Sequence, residues 1–147
     1  TGTRLYDALL AKCMVRTDEA GTLPLEQLRR FRDEEARHFV LVWDAIKELG
    51  ADPTSQTPEA DANGVASMGL MQLLADPRTS VAQSIHAIHI AELADHDGWE
   101  MLIKLAEDFG QSDMAVRFRR AFAEEEQHLA VIRDLMEKCA MTEAGAA

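Results

Sequence analysis

Glutamate precedes histidine by three residues twice in this chain, as Glu35 with His38 and as Glu125 with His128, each time inside an apolar stripe. Taking every third and fourth residue through the first pair gives Leu28, Phe31, Glu35, His38, Val42, Ala45 and Leu49. The same walk through the second pair gives Phe118, Ala121, Glu125, His128, Ile132, Leu135 and Cys139, each ninety positions later. Apolar residues at alternating three- and four-residue steps form the inward seam of a helix packed against other helices. The pattern therefore asks for two helices that each turn a carboxylate and an imidazole toward a core. Glu34, Arg37, Glu124 and Glu126 fall off these stripes and read as solvated charges.

A carboxylate taken out of water needs compensation, because burial disfavours its charged form and a second buried carboxylate repels it. No Lys or Arg lies on either stripe. A divalent metal held by a carboxylate and an imidazole one turn apart meets the need. The alternative is a bundle with buried, hydrogen-bonded Glu–His pairs and no metal.

The rest of the chain fits helices. Of its 147 residues 47% are hydrophobic but only 5% aromatic, and strand-like runs of Val, Ile and Thr are absent, so an all-helical single domain over residues 1–147 is expected. The net charge of -11 leaves no basic patch to neutralise phosphates, which argues against a nucleic-acid partner. Two cysteines, Cys13 and Cys139, without a C-x-x-C exclude a zinc ribbon and a disulfide framework. No apolar run reaches membrane-spanning length and no signal peptide is visible, so a cytoplasmic protein without a membrane partner is expected.

Punctuation places the elements. A first helix covers Leu5 to about Val15, and "TDEAGTLP" breaks it. A second runs from about Pro24 to Leu49 and stops at Gly50. A polar connection, "ADPTSQTPEADANG", leads to a short helix over "VASMGLMQLLA" and then to "DPRTS". Thr79 or Ser80 caps a third helix to about Phe109, Gly110 ends it, and Ser112 caps a fourth reaching about Cys139, with a frayed tail. Short joins make the first and last pairs antiparallel hairpins, and the long middle connection is a crossover carrying the extra short helix: a four-helix bundle of two hairpins. The third helix has its own stripe, Ile85, Ile88, Glu92, Trp99 and Ile103, which brings Glu92 to the same core, while Asp95 and His96 compete for the next inward position.

With two in-register Glu-x-x-His motifs, a third-helix Glu and a crossover, the chain resembles the ferritin-like di-iron carboxylate superfamily of ferritins, bacterioferritins and rubrerythrins over nearly its whole length. The resemblance implies two metal ions, iron foremost with manganese or zinc as alternatives. It makes Glu35 and Glu125 bridging ligands, His38 and His128 ligands to one metal each, and Glu92 a terminal ligand. It also implies a glutamate on the first helix. Mirroring the second hairpin puts that position between one residue before Thr1 and Thr3, where no carboxylate stands, and Asp7 is too short and too distant to substitute. The ligand is expected just upstream of Thr1 on a first helix truncated at its N-terminus, or else the site has five protein ligands.

Asp95, His96 and Tyr6 are candidates for supporting contacts around the ligands, weighed against a solvated pair and a core aromatic. His86 and His89 read as surface or half-buried, Met68, Met71 and Met101 as core filler, and both cysteines as inert. The function expected is ferroxidase or peroxidase-type oxidoreductase chemistry on oxygen or peroxide in a homodimer or larger assembly. A di-manganese catalase-like protein and a non-catalytic metal-binding or interaction bundle are the alternatives. An absent Cys-rich iron domain speaks against a rubrerythrin.

Overall fold

The computed structural model of the protein describes residues 1–21 and 23–145. Among these residues there are six helices and no strand: α1 Gly2–Val15, α2 Thr17–Ala20, α3 Leu25–Glu48, α4 Pro58–Ala75, α5 Val81–Asp108 and α6 Ser112–Glu143. None of them is long and apolar enough to cross a membrane. The chain divides into two compact units, Thr1–Ala87 and Ile88–Ala147, with the boundary falling within α5.

In the first unit α1 packs on both α3 and α4. The α1–α3 pair is antiparallel: Gly2 faces Glu35, and one turn on in α1 and one turn back in α3 Tyr6 meets Phe31 ring edge to face at 6.2 Å; Asp7 accepts from Arg32 at 2.8 Å beside them. Leu5, Leu9, Cys13, Leu28 and Phe31 are fully enclosed, as the stripes require. Arg16 interrupts the helical backbone, and the acidic residues Asp18 and Glu19 suit the first turn of the one-turn helix α2. That turn lies inside the stretch expected to be a break.

Helix α4 begins seven residues earlier than expected. Thr57 accepts from the Ala60 amide at 3.1 Å, Pro58 follows at the first helical position, and Glu59 and Asp61 occupy the first turn. Cap, proline and dipole together outweigh a composition that reads as turn. Only Leu74 of α4 is buried, and Met68, expected in the core, is exposed.

The 76–81 connection is clasped from α1 and α2. Lys12 Nζ donates to the Asp76 carbonyl at 3.1 Å and the Thr79 carbonyl at 3.2 Å, Arg16 donates to the Pro77 carbonyl at 2.7 Å, and Glu19 accepts from the Val81 amide at 2.8 Å. Helix α5 then starts in a capping box: Ser80 Oγ accepts from the Gln83 amide at 3.0 Å while Gln83 Oε1 accepts from the Ser80 amide at 2.9 Å.

In the second unit the α5 segment and α6 are antiparallel, with Trp99 against Phe118 at 5.6 Å and His96 against Phe122 at 4.7 Å. The join is a tight C-terminal motif. Gly110 takes φ +71, its amide reaches the Glu107 carbonyl, and the Gln111 amide reaches the Ala106 carbonyl at 2.7 Å. Gly50 ends α3 in the same way, with φ +78 and the Ala51 amide on the Ile46 carbonyl. Ser112 is not a cap: Gln111 stands at that position without a side-chain bond. Helix α6 continues to Glu143, beyond the expected end at Cys139. The last two residues of the tail lie outside the described residues.

The clasp makes acid sensitivity measurable. Side-chain and then backbone hydrogen bonds from Arg78 hold the Asp76 carboxyl far below the ordinary carboxylate range. A carboxylate with a depressed folded-state pKa stabilises the fold above its unfolded value and loses that contribution as pH falls below it. Asp76→Asn is therefore less stable than wild type at pH 7, and the difference closes as pH drops from about 4. Urea midpoints measured from pH 7 to pH 2 test this, and a pH-independent difference contradicts it.

Candidate metal centre

Every Lys and Arg in the chain is exposed or half-buried, whereas five residues that carry or accept charge are not. Among the described residues the buried polar side chains are Glu35, His38, Glu92, Glu125 and His128, together with Ser84. These are the five ligands expected from the sequence, and Ser84 returns its hydroxyl to the Ser80 carbonyl within its own helix.

In the second unit α5 and α6 bring three of them together. Glu92 is 2% exposed, Glu125 1% and His128 0%. His128 Nδ1 lies 3.7 Å from Glu92 Oε2 and 3.6 Å from Glu125 Oε2. These separations exceed hydrogen-bond length. They suit two donors on one ion: atoms each about 2.1 Å from a metal are roughly 3.0 Å apart at right angles and roughly 4.2 Å apart when opposite. One ligand atom from each of the three falls within 4.8 Å of the others, a group that could hold a metal ion. Its two carboxylates carry the charge that one divalent ion neutralises.

The residue that the stripe did not reveal as functional is Trp99. Its indole Nε1 donates to Glu125 Oε1 at 3.1 Å, so one oxygen is held while Oε2 turns toward His128. Read from the sequence, Trp99 was a core aromatic on the inner face. The face was right, and the donor atom at its tip is what the pattern does not encode.

No protein-family model, curated protein or solved structure matches this chain.

In the first unit Glu35 and His38 sit one turn apart on α3, 8% and 6% exposed. The α1 residue facing the Glu35 carboxylate is Gly2, which is itself buried. The level expected for a first-helix ligand is thus occupied by a residue with no side chain. Asp7 does not substitute, since it is exposed and paired with Arg32. Tyr6 is buried against Phe31. His96 is half-buried, stacked near Phe122 with Nδ1 3.4 Å from Asp97, and Asp95 is half-buried as well. His86 is exposed and His89 half-buried. Met101, expected in the core, lies on the surface, as does Leu49 at the end of its stripe. Burial pushes the Cys13 and Cys139 thiols up, which keeps them protonated and unreactive at neutral pH.

Trp99→Phe keeps a ring against Phe118 but deletes the donor to Glu125. Removing a partner of a buried charged acceptor costs about 1–3 kcal/mol, so the metal-free variant unfolds at correspondingly lower urea. A midpoint equal to that of wild type shows that the bond carries no stability.

Proposed function

We propose that the chain is a ferritin-like metal protein in which α1, α3, α5 and α6 form one four-helix bundle. Glu35, His38, Glu92, Glu125 and His128 hold a pair of metal ions in it, iron foremost. The observation that carries this reading is the burial of these five side chains, with the donor atoms of Glu92, Glu125 and His128 converging in the second unit. Three carboxylates facing two divalent ions come close to charge balance, which buried carboxylates alone do not. The repeated Glu-x-x-His and the antiparallel run of each helix pair support the same arrangement.

Iron or manganese bound there supplies electron-transfer chemistry toward oxygen or peroxide. The chain's own part is to hold carboxylates and imidazoles ready on rigid helices, keep bulk water away from them and fix Glu125 through Trp99. The reaction class proposed is ferroxidase or peroxidase-type oxidation, in a homodimer or larger assembly.

Anaerobic titration with ferrous iron, followed by elemental analysis, tests the binding step. Up to two ions per chain are expected, and ligand excess of 100 times Kd raises the unfolding free energy by about 2.7 kcal/mol per site. His128→Ala and Glu125→Ala remove most of this gain. Oxygen or peroxide consumption by the loaded protein then separates the oxidoreductase from a bundle that keeps metal for stability, and manganese loading separates a catalase-like protein from both. Failure of wild-type protein to retain stoichiometric iron or manganese overturns the proposal.

A further inference from the structure

Gly2 is a glycine without a backbone reason. The positive-φ glycines among the described residues are Gly50, Gly110 and Gly145, so position 2 has a conformation open to any L residue. It is the first residue of α1, a position that does not require glycine. Space is what distinguishes it. A Cβ built on Gly2 overlaps the Glu35 Oε2 and Cδ atoms outright and comes within 3.0 Å of Cγ. The helical glycines Gly64, Gly69 and Gly98 have nothing within 4 Å of the same added atom.

We propose that Gly2 is a positioning residue: its bare backbone leaves the volume in which the Glu35 carboxylate sits, and so sets where that carboxylate can lie. The overlapping atoms are the far end of a flexible side chain, not backbone. A methyl group at position 2 therefore moves the carboxylate and leaves α1 intact. Glu35 lies with Phe31 and His38 on the buried face of α3, and displacement takes its carboxylate out of the native pose. The α1 position that faces Glu35 thus shapes a ligand by absence, where a side chain would compete for the same volume. The consequence for metal binding rests on the function proposed above, whereas the steric relation does not.

A double-substitution cycle on the full chain tests both, using cobalt(II) as the spectroscopic probe. Gly2→Ala is expected to weaken cobalt binding about 10- to 100-fold, the range seen when the support of a ligand is disturbed, and to alter the ligand-field absorption. Against a Glu35→Asp background, whose side chain is shorter, the same substitution changes the affinity little. In metal-free protein, Gly2→Ala lowers the thermal midpoint in the wild-type background and leaves it unchanged or raised in the Glu35→Ala background. Equal midpoint losses in the two backgrounds overturn the proposal, as does wild-type cobalt affinity and absorption in Gly2→Ala. If wild-type protein binds no cobalt, iron or manganese, the metal reading fails while the metal-free cycle still decides the role of Gly2.

Discussion

Three glutamates buried in a helical protein that buries no lysine or arginine set the terms for everything else in this molecule. Moving a carboxylate from water into an apolar interior is opposed by many times the free energy that any single helix contact provides. The apolar stripes around Glu35, Glu92 and Glu125 gain roughly 1.5–3 kcal/mol for each fully buried large side chain, which holds the helices together without answering the charge. Compensation must be local and electrostatic. The cationic side chains are committed elsewhere: Arg32 to Asp7 and Asp33, Arg78 to Asp76, Lys138 to Asp134, all at the surface. Imidazoles are the basic groups left in the interior, and a metal ion is a partner that carboxylate and imidazole can accept together.

The two Glu-x-x-His motifs repeat in sequence, and each carboxylate has a neighbour that the other lacks in kind. Glu125 is held by an indole N–H from the facing helix, a directional bond that selects one oxygen. Glu35 is bordered by the backbone of α1 at Gly2, which restricts volume and leaves the carboxylate's direction to its other neighbours. A hydrogen bond fixes orientation within tenths of an ångström, whereas a steric boundary fixes only where an atom cannot go. The two carboxylates thus meet different neighbours, although each precedes its histidine by three residues.

Burial of Glu35, His38, Glu92, Glu125 and His128 was legible because a charged residue on an apolar helical stripe is costly and so stands out in the sequence. Glu92 could be found with no motif of its own, from the stripe through Ile85, Ile88 and Trp99. What escaped was of three kinds. Trp99 contributes a single polar atom, and periodicity reports faces, not atoms. Gly2 acts through a missing side chain, which is visible only once a neighbour occupies the space. Asp95 and His96 are consecutive, about 100° apart on a helix, so a stripe cannot choose between them; His96 turned out to face Phe122 and Asp97. The ends of stripes misled as well: Leu49 continues the pattern of α3 one turn past the last buried residue, Ala45. The early start of α4 shows the converse, since Thr57 and Pro58 form a capping signal that polar composition concealed.

The buried Glu and His side chains stand on α3, α5 and α6, and the irregular backbone lies elsewhere, which has a mechanical consequence for the site proposed. A ligand set must keep its geometry whether or not an ion is present, because preorganisation spares the binding step the entropy of ordering long side chains. Helical segments enclosed on the ligand face hold Cα positions to a fraction of an ångström, and loops do not. The 76–81 connection could transmit its own motion into α5, whose first turn it feeds. Lys12, Arg16 and Glu19 bind its carbonyls and the Val81 amide, and the Ser80–Gln83 box closes the helix start. That clasp lies more than two turns of α5 away from Glu92. The irregular backbone of the connection and the buried carboxylate of Glu92 are thus separated along the chain, with the capped start of α5 between them.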